Sequence, residues 1–414
     1  MITKFFPNKS AFITLVAACF VVNVTMGVRQ TFGLFSGDFE IDCGISNTEF
    51  GLAIALHALI WGIVTPIFGR FADKHGGSKM VIFTLIIYGV GVLALGNNFN
   101  TGTWFQINLG LLVGIGLGGA AGTILAPVVT KHFPNQNRGK AAGYVTAFGG
   151  LGMFIFPVLT KYLMVEVGWQ NTFTVFAIIL FIMCIPGFFL KKPEGEEKVV
   201  VSDDESNKSD SVIKVLKESF AHKGFRLLVL GFFVCGFQIT LVATHVPRYV
   251  QDRGLDDWTG FAILSLIGLF NIIGVLIMGY LSDKYSKKLL LSGLYFFRSI
   301  SIMLFIFLPP SNISAIAFGI TFGLLWLATV PATNGIVAQV FGAKNLSMLF
   351  GIVFLNHQIG SFFGAYLGGL FHDLYGSLDY AWYISIALSL FAGLIHLPIK
   401  EKAIERQQLK PSEI

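Results

Sequence analysis

The feature that most constrains this chain is a repeated run of about 20 uncharged, mostly apolar residues, separated by short charged connectors. A helix needs about 20 such residues to cross the hydrocarbon core of a bilayer. Only 13% of the 414 residues are charged, whereas a soluble domain carries about 25%. A water-facing globule of this size would therefore lack polar surface, and the chain is predicted to be an all-α membrane protein.

We predict twelve membrane-spanning helices, six on each side of a polar stretch. They cover residues 11–36, 47–72, 79–97, 103–130, 139–165, 169–190, 225–250, 258–282, 287–308, 313–338, 344–372 and 378–398. The predicted domains are a bundle at 1–190, a linker at 191–223, a second bundle at 224–400 and a tail at 401–414. The linker contains SDDESNKSD, a composition typical of flexible segments, and a short surface helix is predicted at 211–220.

The positions of Lys and Arg predict the orientation, because cytoplasmic connectors carry an excess of these residues. The loops at about 37–46, 98–102, 309–312 and 373–377 contain neither, although Lys161, Arg248 and Arg253 lie near the same side. We expect a protein of the inner (plasma) membrane with both termini in the cytoplasm. The net charge of +6 is then a topology signal, so no nucleic-acid partner is expected. We expect a monomer.

The connectors after spans 2 and 8 repeat one motif. The first reads GRFADKHGGSK from Gly69, and the second reads GYLSDKYSKK from Gly279. Both place Asp-Lys four residues after the glycine and continue with a basic tail. They occupy the same place in each half, as expected of two parallel six-helix repeats. The motif, its repeat and the twelve spans resemble the major facilitator superfamily over nearly the whole chain.

This resemblance implies two six-helix bundles around a central cavity, related by a pseudo-two-fold axis along the membrane normal, and transport by alternating access. It also implies that the motif is a conformational gate, in which the glycine allows close helix approach and the Asp bonds a neighbouring helix end. The matching residues are Gly69, Asp73, Lys74, Gly279, Asp283 and Lys284. Alternatively, each Asp only caps a helix or pairs with a nearby Lys.

Four ionisable side chains are predicted within spans: Arg29, His57, Arg298 and His357. A charge at mid-membrane costs about 2.5–3.5 kcal/mol on insertion scales, so such residues indicate a functional site. No Asp or Glu is predicted deep in a span, and an arginine stays protonated in proteins. An anionic substrate would supply the missing charge, and a guanidinium matches a carboxylate in a two-point geometry.

The candidate site therefore combines these residues with polar neighbours. The predicted substrate-binding residues are Arg29, Arg298, His357, Asn271, Tyr144, Gln238 and Asn334, with Gln30 as a further candidate, and the proton-coupling residues are His357 and His57. Each has a structural alternative: Arg29 could snorkel to the interface, Arg298 could bond backbone carbonyls, and the others could hold helices together. No cofactor or metal is expected, and no CxxC pair occurs.

Span 1 carries a narrower resemblance. It reads VRQTFGLF from Val28 and resembles the first span of the monocarboxylate transporter group, in which a cation precedes a short aromatic run. Arg29 matches the position of that group's essential lysine. The group's acid–arginine pair in span 8 is replaced here by Asn271 and Val275. The resemblance to this branch and to the related oxalate–formate exchangers implies transport of a small organic anion by proton symport or exchange.

Spans 4 and 5 raise other possibilities. The stretch from Gly143 to Pro157 partly resembles the antiporter motif of drug-exporting facilitators, but Phe156 stands where that motif has glycine. Proton-driven export of drugs, siderophores or other metabolites is therefore the alternative, and a non-transporting sensor of the same fold is a third. The run GIGLGGAAG from Gly114 lacks the strand–turn–helix setting of a dinucleotide site, so it predicts close helix packing. No nucleophile–base pair or phosphate loop suggests an enzyme.

Overall fold

The structure, a computed structural model, describes residues 6–97, 102–192, 215–342 and 346–403. Most of the predicted linker at 191–223 and of the predicted tail at 401–414 lies outside these residues, and so does the beginning of the predicted surface helix. Residues 215–221 are helical. The described residues contain no β-strand, and ten helices among them are long and apolar enough to cross a membrane.

The ten helices correspond to twelve spans for two reasons. Helix Asn135–Ile182 has 48 residues and a length of about 70 Å, more than twice the hydrocarbon thickness. Gly168 breaks it with a φ of 81°, a conformation that glycine adopts without steric cost. The parts before and after Gly168 are spans 5 and 6. Helix Asp379–His396, with 18 residues, is span 12.

The remaining spans are continuous or interrupted helices. The continuous spans are span 2 (Asn47–His75), span 3 (Gly77–Leu95), span 7 (Lys223–Asp252), span 8 (Asp257–Lys284), span 9 (Lys287–Phe307) and span 11 (Leu346–Tyr375). Span 1 consists of helix Lys9–Thr31, a 3-10 turn at Phe32–Phe35 and helix Ser36–Cys43. Span 4 consists of helices Gly102–Phe105, Val113–Ala120 and Gly122–Thr130 with a π-helical segment at Gln106–Leu112, and span 10 consists of helices Asn312–Leu325 and Thr329–Phe341. A short helix at Cys184–Gly187 follows span 6.

The packing of the two halves corresponds span by span. Span 1 packs on span 5 as span 7 packs on span 11, span 2 on span 4 as span 8 on span 10, and span 3 on span 6 as span 9 on span 12. The halves meet where span 2 packs against span 11 and span 5 against span 8. The protein therefore has the predicted fold of two six-helix bundles with pseudo-two-fold symmetry.

Glycines allow the closest helix contacts within each bundle. A Cβ on Gly152 would lie 1.9 Å from the carbonyl oxygen of Asn23, and a Cβ on Gly236 would lie 1.8 Å from that of His357. In span 4, a Cβ on Gly118 would lie 2.1 Å from the side chain of Val64. The prediction that the glycine run of span 4 serves helix packing is confirmed.

The described contacts between the bundles run from the middle of the spans to one end. Near the middle, Gln358 Nε2 donates to the carbonyl oxygen of Ala58 at 3.0 Å. Towards the end of span 2 that begins at Asn47, a Cβ on Gly369 would lie 2.0 Å from the carbonyl oxygen of Asn47 itself. We call this the closed end, and the opposite end, which carries Asp73 and Asp283, the motif end.

The glycine contacts generate a stability prediction. Gly236→Val should lower the melting temperature in detergent, because the side chain must force span 7 away from span 11, and overpacking of this kind costs about 1–3 kcal/mol. Gly351→Val is the matched control, since a Cβ there meets no atom within 4 Å. Equal melting temperatures for the two variants would contradict this packing.

Candidate functional site

Arg29 lies in the first bundle and forms no ion pair with a described acid. It is in the last turn of Lys9–Thr31, the first helix of span 1, and its Cζ lies 5.3 Å from the ring centroid of Trp61 in span 2, a cation–π contact. Its Nε is buried and has no hydrogen-bond partner among the described residues. None of the ion pairs in the described part of the chain includes Arg29. Arg29 is therefore a cation without an ion-pair partner in the described part of the chain.

His57 and Trp61 extend the group of unpartnered donors around Arg29. They are four residues apart and share one face of span 2, with ring centroids 6.4 Å apart and planes at 18°. Phe32 packs edge-on against His57 at 6.1 Å. Both ring nitrogens of His57 and the Nε1 of Trp61 are buried without a partner in the described structure. Buried polar groups without partners are costly, so this concentration marks a site that a polar ligand can complete.

Span 11 of the other bundle forms the opposite wall. Phe354 lies 5.7 Å from Trp61, centroid to centroid, and His357 stacks on Phe354 at 5.8 Å. The Nδ1 of His357 lies 3.0 Å from the Oε1 of Gln358, the residue whose amide reaches span 2. We define the central cluster as Arg29, His57, Trp61, Phe354 and His357. Three of the residues predicted from the sequence thus come together, and both bundles contribute to the cluster.

Arg298 has a different environment from Arg29. It is fully buried in the second bundle, where its Nε and Nη2 donate to the carbonyl oxygen of Leu325 at 3.1 and 2.6 Å, and its Nη2 also reaches that of Trp326. Its Nη1 donates to the Oε1 of Gln238 at 3.3 Å. These contacts correspond to the structural alternative, in which Arg298 bonds backbone carbonyls. Its substrate-binding role stays a prediction that no contact with the central cluster supports.

Gln238 and Asn271 form hydrogen bonds in the same part of the second bundle as Arg298. Gln238 Nε2 donates to the carbonyl oxygen of Ser385 at 3.2 Å. Asn271 Oδ1 accepts the backbone N–H of Leu327 at 3.0 Å, within the break between the two helices of span 10. The polar groups of both side chains therefore stabilise helix contacts, and their predicted roles as substrate ligands find no support in this geometry.

Tyr144 and Asn334, the remaining predicted substrate ligands, are not members of the central cluster. Tyr144 in span 5 is 51% exposed, and Asn334 in the second helix of span 10 is half-buried. Gln30 is the neighbour of Arg29 in span 1; it is fully buried, and both polar atoms of its side chain lack a partner among the described residues. Its polar atoms resemble those of the cluster in being unsatisfied, which supports its place among the candidates.

The comparison with known families decides the identity of the fold. The sequence model of the Major Facilitator Superfamily matches residues 10–334 and again residues 263–413. The chain belongs to the major facilitator superfamily. It is thus a multi-pass membrane transporter by family, and the family is one of transporters rather than enzymes.

The relatives of this facilitator do not share one named substrate. It is 24% identical to the MFS-type transporter YcxA of Bacillus subtilis (strain 168), over 96% of this chain and 98% of that protein. It is 25% identical to a homolog of the multi-drug resistance efflux pump PmrA from Lactococcus lactis, over 87% of each chain. It is 24% identical to monocarboxylate transporter 10 of Homo sapiens, over 95% of this chain and 76% of that protein.

A solved structure supports the same fold. The crystal structure of a D-xylose-proton symporter is similar to this facilitator with a TM-score of 0.72, over 95% of this chain and 99% of that one. The sequence identity is 15%, so the similarity concerns the fold alone.

The two copies of the facilitator motif differ in their surroundings. Asp73 pairs with Lys131 of the connector after span 4 at 2.5 Å, and a Cβ on Gly69 would lie 3.6 Å from Ile124. In the second copy, Lys284 contacts the hydroxyl of Tyr280, and a Cβ on Gly279 would meet no atom within 4 Å. In this conformation Asp73 thus adopts the alternative of pairing with a lysine. The gate roles of Gly69, Asp73, Lys74, Gly279, Asp283 and Lys284 stay predictions.

Sequence reasoning missed two members of the central cluster, Trp61 and Phe354. Neither residue is unusual in a chain with 14% aromatic residues, so composition gives no signal. The spacing of four between His57 and Trp61 was the available clue, because it places an indole N–H on the helix face of a candidate histidine.

The two arginines of this facilitator should respond differently to substitution. Arg298→Gln should lower the melting temperature clearly more than Arg29→Gln, because it leaves the carbonyl oxygens of Leu325 and Trp326 without a donor. Removing one partner of a buried hydrogen bond costs about 1–3 kcal/mol. Thermal unfolding of both variants in the same detergent checks this expectation, and the reverse order of stability would contradict the assignment.

Proposed function

We propose that this facilitator is a secondary active transporter that moves a small organic anion, a monocarboxylate, by alternating access. It lies in the inner membrane with both termini in the cytoplasm, so the closed end faces outward. The observation that carries the proposal is Arg29, a cation whose Nε is buried without a partner among the described residues and whose neighbour Trp61 meets Phe354 of the other bundle.

A carboxylate fits the central cluster electrostatically. An arginine in an apolar layer without an acidic neighbour keeps an uncompensated charge, and a carboxylate supplies the opposite charge together with two acceptor oxygens. Trp61, whose ring lies beside this guanidinium, and His57, which stacks on Trp61, carry further polar nitrogens without partners among the described residues. A hydrogen bond to a charged group is worth about 1.5–3 kcal/mol, enough for a few such bonds to select an anion over a neutral analogue.

The composition of the cluster supports alternating access. Spans 1 and 2 contribute Arg29, His57 and Trp61, whereas span 11 contributes Phe354 and His357. A ligand in this position contacts both bundles, so it can favour one arrangement of the bundles over another. Sites at the interface between repeats are the common arrangement in secondary transporters.

Histidines are the coupling candidates because the predicted spans contain no deep carboxylate. His57 has two unpartnered ring nitrogens, and His357 has one ring nitrogen directed to Gln358. Histidine is a common proton shuttle in proteins. The proposal therefore includes proton symport, with a histidine or the substrate as the proton carrier, and anion exchange as its variant.

Export of drugs or other metabolites is the second candidate function. It is favoured by the partial antiporter motif that ends at Pro157 and by the relative named as a multi-drug efflux pump. The relative named as a monocarboxylate transporter favours the first candidate. The uncompensated cation in the central cluster favours the first candidate, because a transporter of cationic drugs needs the opposite charge in its site.

Uptake of labelled monocarboxylates into proteoliposomes tests the proposal. We expect saturable uptake of at least one acid, accelerated by an inward proton gradient or by an internal exchange anion. Arg29→Gln should reduce this uptake at least about tenfold, because the ligand loses a charged hydrogen-bond partner. Arg138→Gln, at the motif end, is the matched control and should keep wild-type uptake. Unchanged uptake in Arg29→Gln, or drug resistance without any carboxylate flux, would contradict the proposal.

Trp61→Phe should raise the KM for the same acid about tenfold, because it removes the indole N–H but keeps an aromatic ring beside Arg29. Trp104→Phe is the matched control, since Trp104 is 60% exposed. The initial rate of uptake as a function of substrate concentration gives both KM values. An equal KM for the two variants would show that the N–H of Trp61 is not a ligand.

A further inference from the structure

A carboxylate of the second bundle caps a helix of the first at the closed end. Asp373, in the last turn of span 11, accepts the backbone N–H groups of Asn47 and Thr48 at 3.2 and 2.7 Å. These residues begin span 2. The first N–H groups of a helix have no partner within it and form the positive end of its dipole, so they favour an anion. Span 2 thus begins with a contact that exists only while the two bundles are together.

The neighbouring N–H groups at the start of span 2 have hydrogen-bond partners within the first bundle, so Asp373 is the partner only of the N–H groups of Asn47 and Thr48. Ser46 Oγ accepts the N–H of Glu49 at 3.2 Å, and the Glu49 carboxylate accepts the N–H of Ser46 at 3.0 Å. This capping box lies entirely within the first bundle. The N–H groups of Asn47 and Thr48 therefore lose their partner when the bundles separate, whereas the capping box is retained.

A second ionic contact joins the bundles beside the first. Arg248 in span 7 pairs with Glu40 of the helix that extends span 1, and its Nε pairs with Asp252 at 3.0 Å. The second oxygen of Asp252 lies 3.0 Å from His372 Nε2. The contact with Glu40 crosses between the bundles, whereas those of Asp252 lie within the second bundle.

We propose that Asp373 is a proton-responsive latch: ionised, it holds the closed end together, and protonated, it releases span 2. Asp373 is exposed, so protons from the adjoining solvent reach it. The assignment of this end to the outside rests on the proposed orientation. The latch would then make the opening of this facilitator sensitive to the external pH.

The direction of the pH response follows from linkage. The closed state stabilises the ionised carboxylate through two N–H groups, so the open state binds the proton more tightly, and acid shifts the equilibrium towards opening. The other titratable and charged groups facing this region are Glu40, Glu49, His245, Arg248, Asp252 and His372. Protonation of Glu40 acts in the same direction as that of Asp373. Protonation of His372 strengthens its contact with Asp252, which lies within one bundle and does not hold the closed end.

Distance measurements between spin labels on the two bundles test the latch without any substrate. Ile41 and Ile313 are suitable positions, since they lie at the closed end on different bundles and are 83% and 81% exposed. The full chain is used in lipid nanodiscs, with its four native cysteines replaced. We expect acidification from about pH 7 to about pH 3, the range in which an aspartate released from its N–H partners takes up a proton, to raise the ratio of open to closed molecules several-fold. In D373N the larger ratio should already be present at about pH 7, and the remaining response to acid, which comes from groups such as Glu40, should be smaller than in the wild type.

Two variants make the assignment specific. D379N is the matched control, because Asp379 pairs with Arg253 within the second bundle, and it should keep the wild-type pH response. H372Q should also keep it. A wild-type response in D373N, or a response lost in H372Q but kept in D373N, would overturn the proposal.

Hydrogen exchange gives a readout that needs no labels. In D373N the backbone amides of Asn47 and Thr48 should exchange faster than in the wild type at one fixed pH, whereas those of D379N should not. Unchanged exchange in D373N would count against the latch. Because no carboxylate substrate is added, a negative result here leaves the proposed transport untouched, and failed carboxylate uptake leaves the latch untouched.

Discussion

The structure depends on how the guanidinium groups of Arg29 and Arg298 obtain hydrogen-bond partners within the apolar spans. Arg298 is saturated by the protein, since the break in span 10 frees the carbonyl oxygens of Leu325 and Trp326 and the guanidinium takes both. The Nε of Arg29 has no acceptor among the described residues, and its guanidinium lies beside the ring of Trp61. The same residue type therefore binds backbone carbonyls in the second bundle and lacks a hydrogen-bond partner for its Nε in the first.

The breaks in the spans follow the same rule. Irregular backbone is tolerated at membrane depth only where the protein satisfies the freed polar groups. In span 10, Asn271 and Arg298 supply an acceptor and several donors to the break. In span 4, the hydroxyl of Thr25 donates to the carbonyl oxygen of Ala120, just before the chain leaves the helix at Ala121. Both breaks are thereby fixed by neighbouring spans of the same bundle.

Much of the fold could be predicted because its signals are local. Runs of about 20 apolar residues mark the spans, and the repeated motif at Gly69 and Gly279 marks the two halves. The candidate site was only partly predictable. The unusual residue types Arg29, His57 and His357 stand out in apolar spans, whereas Trp61 and Phe354 do not. The partners of Arg298 could not be predicted, because the break in span 10 lies 27 residues along the chain. Gly323 and Pro331 flank the break, but such local signals do not indicate which side chain binds the freed carbonyl oxygens.

The middle and the closed end of the bundle interface differ in their charges and therefore in what holds the bundles together there. In the middle, cationic and neutral donors face one another without an acid, so the bundles gain a shared ionic partner there only when an anion binds. At the closed end, acids of one bundle meet a helix terminus or a cation of the other, as Asp373 meets Thr48 and Glu40 meets Arg248. These contacts need no ligand. An anion in the middle and carboxylates at the end can therefore stabilise the closed arrangement independently, and protonation of Asp373 or Glu40 weakens only the contacts at the end.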